Sequence, residues 1–330
     1  MTPPTEPNRR DNAAAAWLSA RVSRDRCRIE PIPGDASNRR YFRVHAGEQR
    51  FVLMDAPPAL EDCAPFVAVA KLLLAAGLNA PRIIAADLDQ GFLLLSDLGT
   101  QSYLDVLGDA SADTLMAAAI EALVTWQAAS RPGALPPYDA DLLRRELDLF
   151  PDWYLGCHLG LSLKGDLADA WEALCKALID AALAQPRVFV HRDYMPRNLL
   201  VSEPPPGIID FQDAVIGPVT YDLVSLLRDA FISWSDAQEQ RWIARYRQQA
   251  AAAGIPLPAD SDAFLAAFDL MGMQRHLKVL GIFARLNYRD GKPRYLAEAP
   301  RFIRYLETAA ARHDVPGLSA VLQALSPANR

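Results

Sequence analysis

Apolar and polar positions alternate with a period of two in short stretches of the N-terminal third of the chain, and with a helical period over most of the rest. Ala13–Val22 reads as an amphipathic helix, and Arg28–Pro31, Arg40–Val44 and Phe51–Asp55 read as strands. Gly47-Glu48 suits a hairpin turn between the second and third strands. Pro33-Gly34-Asp35-Ala36-Ser37-Asn38, between the first and second, is a run of turn formers. Pro57-Pro58 opens a helical stretch to about Ala76, stopped by Gly77, and Arg82–Ala86 and Phe92–Ser96 add two strands. The pattern predicts a five-stranded, mostly antiparallel sheet with one inserted helix.

After Leu98-Gly99 the pattern changes to long helices: Ser102–Ala129, Ala140–Leu159, Gly165–Ala184, Tyr221–Phe231, Gln238–Ala253, Ser261–Tyr288 and Pro293–Ala311. A short β-rich insert, Val188–Asp210, interrupts them. The expected division is a β-rich N-terminal lobe over residues 1–98 and a helical C-terminal lobe over 99–330, an α+β arrangement whose joint makes a cleft of the kind ligands favour.

Composition narrows the function classes. With 330 residues and 51 % hydrophobic content the chain can bury substantial cores, and 22 % charged residues place it among soluble globular proteins. A formal charge of −6 argues against a nucleic-acid binder, which carries a basic face. Cys27, Cys63, Cys157 and Cys175 are scattered, without the spacing of a metal site or a disulfide framework. Met1–Asn12 is Pro-rich and charged, unlike a signal peptide. The most apolar run, Phe66–Leu78, is interrupted by Lys71 and too short to span a bilayer. The expectation is a cytoplasmic protein with neither membrane nor nucleic-acid partners.

The chemistry concentrates in His191-Arg192-Asp193-Tyr194-Met195-Pro196-Arg197-Asn198 and in Gly207-Ile208-Ile209-Asp210-Phe211. Two apolar strands flanking a proline-rich turn form a hairpin pattern; if it closes with position 199 facing 209, Asn198 and Asp210 emerge side by side. An amide oxygen and a carboxylate make a hard, all-oxygen site suited to Mg²⁺. Asp193, five residues before Asn198, supplies a second carboxylate that can take a proton from a hydroxyl. Phosphoryl transfer needs those parts: a base or orienter for the nucleophile, and metal ligands to neutralise a triphosphate. Singly, each of these residues is an ordinary turn former; the combined spacing carries the signal.

This segment resembles the aminoglycoside phosphotransferase and choline kinase branch of the protein-kinase-like fold, a small β-rich N-lobe with a larger helical C-lobe. The resemblance extends over roughly Ile29–Tyr305 and is specific within 191–222. It implies an ATP- and Mg²⁺-dependent kinase with a nucleotide-binding N-lobe, Asp193 as the catalytic aspartate, and Asn198 and Asp210 as metal ligands. Asp222 stands where the branch has a structural aspartate bracing the catalytic loop. Three stretches, Gly34–Phe42, Leu53–Pro58 and Gln274–Gly281, are similar to the bacterial cell-wall amino-sugar kinases, which phosphorylate N-acetylmuramate and N-acetylglucosamine at the anomeric hydroxyl in cell-wall recycling. The implied partners are a sugar and ATP. The alternatives are a kinase of another small hydroxyl compound (an aminoglycoside, choline or homoserine) and a nucleotide-binding pseudokinase scaffold.

The resemblance also orders the remaining candidates. Ser37 and Asn38 fall where kinases cover the phosphates, and Ser96 and Leu98 where a hinge grips adenine by its backbone, with Leu95 and Leu200 over the ring faces. The third strand carries Met54 where many kinases carry a phosphate-binding lysine, and a thioether cannot neutralise phosphate. Arg43 on the neighbouring strand is the candidate substitute, with Glu61 as the glutamate that would have paired with the lysine; otherwise Mg²⁺ carries the charge alone. The acceptor pocket is expected on the helical lobe, from Trp153, Asp229, Trp234, Arg275 and His276, with Arg275 facing a substrate carboxylate.

Overall fold

A computed structural model describes residues 6–22, 27–33 and 38–326. It divides into two compact units, one of Met1–Ser102 with Leu199–Asp213, the other of Tyr103–Asn198 with Ala214–Arg330. The boundary at 98/99 expected from the pattern change thus falls a few residues early, and Leu199–Asp213 groups with the β-rich part rather than the helical one.

The first unit holds α1 (Glu6–Ser19), β1 (Cys27–Ile32), β2 (Arg40–Ala46), β3 (Gln49–Asp55), α2 (Ala64–Ala75), β4 (Ile83–Asp87) and β5 (Phe92–Ser96). The strands form an antiparallel sheet in the order β1-β2-β3-β5-β4. Strand alternation sorts its faces. Val44, Leu53, Phe92 and Leu94 bury against Ala14, Trp17, Leu18 and Val22 of the α1 segment. Tyr41, Arg43, Val52, Met54, Leu93 and Leu95 share the opposite face, with Tyr41 opposite Met54 and Met54 opposite Leu93. α2 begins at Ala64, so Glu61 lies in the loop before it rather than on a helix starting at Pro57.

The second unit comprises α3 (Tyr103–Val106), α4 (Ala112–Ala128), α5 (Ala140–Leu147), a π-helix (Phe150–His158), α6 (Asp166–Leu183), β6 (Arg187–Val190) and a 3₁₀ turn (Pro196–Asn198). The short strands β7 (Leu199–Leu200) and β8 (Gly207–Ile208) of the first unit interrupt it. It resumes with β9 (Val215–Pro218), α7 (Tyr221–Leu227), α8 (Asp236–Ala252), α9 (Ser261–Tyr288), α10 (Pro293–Leu296), α11 (Ala299–Ala310) and α12 (Leu318–Ala324). Among the described residues no helix is long and apolar enough to cross a membrane.

Three expected helices are broken for local reasons. Ser111 Oγ donates to the Val106 carbonyl and accepts from the Gly108 amide, ending α3 and starting α4. Pro151 lacks the N–H that would bond the Leu147 carbonyl, and the chain re-forms there with the wider π spacing. Pro300 separates α10 from α11 in the same way. Strand β9, paired antiparallel with β6, and helix α12 are additions to the sequence reading. The centre of the unit is α9, which packs on α6, α11 and the π-helix through Leu277, Leu280 and Phe283. Gly281 permits that approach: a Cβ there would sit 2.3 Å from the Leu149 carbonyl carbon.

Candidate active site

The loop from His191 to Asn198 hangs between β6 and the 3₁₀ turn and is held from below by Asp222. The Asp222 carboxylate accepts the His191 amide at 2.6 Å and the Arg192 amide at 3.0 Å. Burial pushes that carboxyl up to about 7 even against the two amides that favour its charge. Two consecutive amides aimed at one carboxylate turn the backbone sharply, and Arg192 takes a φ of 75°, a left-handed conformation that costs a non-glycine residue roughly 1–2 kcal/mol. Such strain persists only where the surroundings over-determine it, and it gathers at functional sites. The structure thus gives Asp222 the bracing role the sequence suggests.

Asp193 follows directly. Its carbonyl accepts from the Met195 amide and from Asn198 Nδ2, both at 2.9 Å, so the loop closes on itself. Asn198 therefore uses its amide nitrogen inside the loop, and its other polar side-chain atom, Oδ1, is an acceptor only. Tyr194 is buried and anchors the loop through a 2.8 Å bond from its hydroxyl to the Ala119 carbonyl.

Arg192 points into a buried polar network invisible in the sequence reading. Its guanidinium bonds the Glu146 carboxylate, which also takes the Lys278 ammonium at 2.6 Å, Gln274 Nε2 at 3.2 Å and the Tyr138 hydroxyl. Lys278 reaches the Tyr221 hydroxyl at 3.0 Å as well. Burial raises the Glu146 carboxyl, but Lys278 and Arg192 outweigh it and hold it at about 2. The one signal in the sequence is the cluster Gln274, Arg275, His276 and Lys278 in the middle of the 28-residue helix α9.

Asp210 belongs to the first unit. The β7–β8 hairpin pairs Leu199 with Ile208 and Leu200 with Gly207, one residue away from the expected register in which 199 faces 209. Asn79 sets this register, its carbonyl accepting the Ile208 amide at 2.8 Å and its side chain donating to Ser202 and Pro204. Asp210 has a φ of 64° and is exposed. Gln212, in the position where protein kinases carry glycine, donates to Asp210 Oδ1 at 3.1 Å and to Asp213 at 3.2 Å. Phe211 between them is buried against Phe66 of α2, ring centres 4.8 Å apart, which fixes the strained turn. Asn198 in the second unit and Asp210 in the first each carry a hard oxygen donor of the type Mg²⁺ takes.

Of the other nucleotide-side candidates, Ser37 lies outside the described residues. Asn38 is exposed, and both its amide and its Nδ2 donate to Glu61 Oε1 at 3.3 Å. Arg43 is occupied in bracing the segment after β5: Nε donates to Asp97 at 2.8 Å and Nη2 to the Gly99 carbonyl at 2.9 Å. Ser96 is tied to Arg82 through both its amide and its hydroxyl, so its N–H does not serve as a hinge donor. Leu98 and Leu200 both pack on Gly207, where a side chain would collide with them. Met54 is fully buried.

On the acceptor side the structure brings Asp229 and Arg275 together and separates the rest. α7 ends at Leu227, short of the expected Phe231, and the turn beyond it places Asp229. Asp229 is buried; Oδ1 accepts the Phe231 amide at 2.8 Å, while Oδ2 has no hydrogen-bond partner among the described residues. Burial raises its carboxyl, opposed by the charges of Arg275 and Arg197. Arg275 is buried, bonded to the Arg228 carbonyl, with its charge set between Asp222 and Asp229. Arg197, not singled out in the sequence, lies 5.7 Å over the Phe231 ring. His276 is enclosed by Phe302 and Tyr305 and kept neutral by burial. Trp153 packs on the α9 core, and Trp234 stands edge-on to Trp242 with centroids 4.9 Å apart.

The model of a family described as "Phosphotransferase enzyme family" matches residues 28–259. The N-acetylmuramate/N-acetylglucosamine kinase of Pseudomonas aeruginosa is 59 % identical over 282 residues, 86 % of this chain and 83 % of that protein. The protein of the same name from Pseudomonas putida is 54 % identical over 294 residues, 88 % and 87 % of the two. Among solved structures, the choline kinase LicA from Streptococcus pneumoniae superposes with a TM-score of 0.64 at 13 % identity, over 91 % of this chain and 99 % of that one, which shows a shared protein-kinase-like fold. With the family match over residues 28–259, most of its length, the chain belongs to the phosphotransferase enzyme family.

Proposed function

We propose that this protein transfers the γ-phosphoryl group of ATP to the anomeric hydroxyl of N-acetylmuramate and N-acetylglucosamine, in the cytoplasm where ATP is supplied. The observation that carries the reading is the 59 % identity, over 86 % of the chain, to a protein named for those two sugars. Asp193 takes the proton of the attacking hydroxyl late in a loose transition state. The anomeric hydroxyl suits a carboxylate base because it is more acidic than an ordinary alcohol. Asn198 and Asp210 would hold Mg²⁺, which would supply the positive charge that neutralises the triphosphate. The Asp229 Oδ2 atom, buried and without a hydrogen-bond partner among the described residues, is assigned to a sugar hydroxyl or the N-acetyl N–H.

For the carboxylate of N-acetylmuramate we assign Arg197 rather than Arg275. Arg275 is buried between two aspartates, so withdrawing its charge toward a ligand would strand them. Arg197 is only half-buried and stands one residue before Asn198 in the catalytic loop.

The test is turnover of ATP with each sugar, and with choline and an aminoglycoside, followed by phosphorus NMR coupled to the proton at C1. Both amino sugars are expected to give the 1-phosphate. A 6-phosphate, or turnover confined to choline or the aminoglycoside, overturns the reading.

A further inference from the structure

The third strand presents Met54, fully buried and uncharged, where a phosphate-binding cation is wanted, and the arginines of β2 have other tasks. Arg43 is bound to Asp97 and Gly99, and Arg40 to Asp55 and Asp11. The residue just before β2 differs. Arg39 pairs with Glu61 at 3.1 Å, with the two side chains only 12 % and 15 % exposed. Glu61 is held from the other side by the amide and side chain of Asn38 at 3.3 Å, so both of its oxygens are engaged by consecutive residues. Arg39 also hydrogen-bonds the Tyr41 hydroxyl, and Tyr41 is the cross-strand neighbour of Met54. By strand alternation Tyr41 falls on the Met54 side of the sheet, and Arg39, bonded to its hydroxyl, lies on that side with it. The same unit carries Asp210 and Asp213 close enough for their charges to act on Tyr41 and Arg39 respectively.

We infer that Arg39, braced by Glu61, is the cation that contacts the α- and β-phosphates of the nucleotide in place of the missing third-strand lysine. Its position on the Met54 side, its glutamate partner and its proximity to the Asp210 turn reproduce the parts of a lysine–glutamate pair from a different point in the chain. A guanidinium has five N–H donors in a planar fork, enough to hold Glu61 on one edge and bridge phosphate oxygens from another. The charge of Glu61 fixes that fork in orientation and does not itself touch the nucleotide; Glu61 is a positioning residue. Asn38, expected from the sequence to meet phosphate, acts here on Glu61 instead.

This inference rests on the kinase reading above, and nucleotide binding without any sugar tests it separately. Calorimetric titrations of the full chain with Mg-ATP and with adenosine are compared for wild type, Arg39→Met, Arg39→Lys and Glu61→Gln. Arg39→Met is expected to weaken Mg-ATP at least tenfold and adenosine less than twofold, Arg39→Lys to recover part of the loss, and Glu61→Gln to give an intermediate loss confined to Mg-ATP. That pattern supports the assignment whichever acceptor the enzyme phosphorylates. Mg-ATP binding unchanged in Arg39→Met overturns it. An equal loss of ATP and adenosine that Arg39→Lys does not relieve overturns it too, because that is the mark of a purely structural arginine. A wild-type protein that binds Mg-ATP but turns over neither amino sugar sinks the acceptor reading alone.

Discussion

The Glu146 carboxylate lies 2.6 Å from the Lys278 ammonium, both are buried, and Arg192 closes on the same carboxylate from the catalytic loop. One anion thus serves two cations, one of them next to Asp193, whose charge also acts on Lys278. Glu146 couples the central helix α9 to the backbone of the loop that carries Asp193.

Removing that charge should be costly. Glu146→Gln leaves Lys278 and Arg192 buried without their counter-ion, a loss of about 3–5 kcal/mol at neutral pH. Because the folded-state carboxyl is held at about 2, below the ordinary 4.5, its stabilisation is present above pH 4.5 and is lost as pH falls toward 2. Urea denaturation of both proteins across pH should show a constant gap above about 5 that narrows on acidification. A gap independent of pH would mean that the carboxylate charge is not what holds the network.

Asp193→Asn keeps the shape of the loop, since the bonds that close it run to the Asp193 carbonyl rather than to its side chain. The expected outcome is a fall in kcat of about 10²–10⁴ with the Kd for Mg-ATP within about twofold. Asp210→Ala should show the opposite balance, with the Mg²⁺ dependence of nucleotide binding lost. Steady-state rates with nucleotide titrations in the presence and absence of Mg²⁺ separate the two; equal loss of binding in both variants would refute the division of labour.

Arg197 and Arg275 make a paired test of acceptor recognition. Arg197→Ala should raise the KM for N-acetylmuramate about tenfold or more while changing that for N-acetylglucosamine little, since only the former has a carboxylate to lose a charge-assisted bond. Arg275→Ala should depress activity on both sugars and lower the melting temperature, because Asp222 and Asp229 lose their buried counter-charge. Discrimination by Arg275 and none by Arg197 would reverse the assignment.

Local pattern was enough for most of the architecture. Strand β5 and the long helix α9 fall on Phe92–Ser96 and Ser261–Tyr288 as expected, and the spacing from His191 through Asn198 to Asp210 announced the chemistry. These features are legible because they depend on periodicity and on chemistry carried within one short segment. The breaks at Ser111 and Pro151 were also written locally, in a side chain that bonds its own backbone and a residue with no N–H, but the apolar period masks them.

The Leu199–Ile208 register, by contrast, depends on Asn79, more than a hundred residues earlier, whose carbonyl takes the Ile208 amide. Charge partners are equally non-local. Arg43 belongs to Asp97, Arg39 to Glu61, Arg192 to Glu146, and Arg275 sits in the field of Asp222 and Asp229. Nothing in the spacing of these residues selects one pairing over another, since each side chain reaches whichever opposite charge the packed backbone brings near, and burial then makes that choice costly to undo. The residue types and spacing along the chain therefore carried the reaction class, while the fold chose which arginine braces a segment, which is locked in a core and which pairs with a glutamate beside Met54.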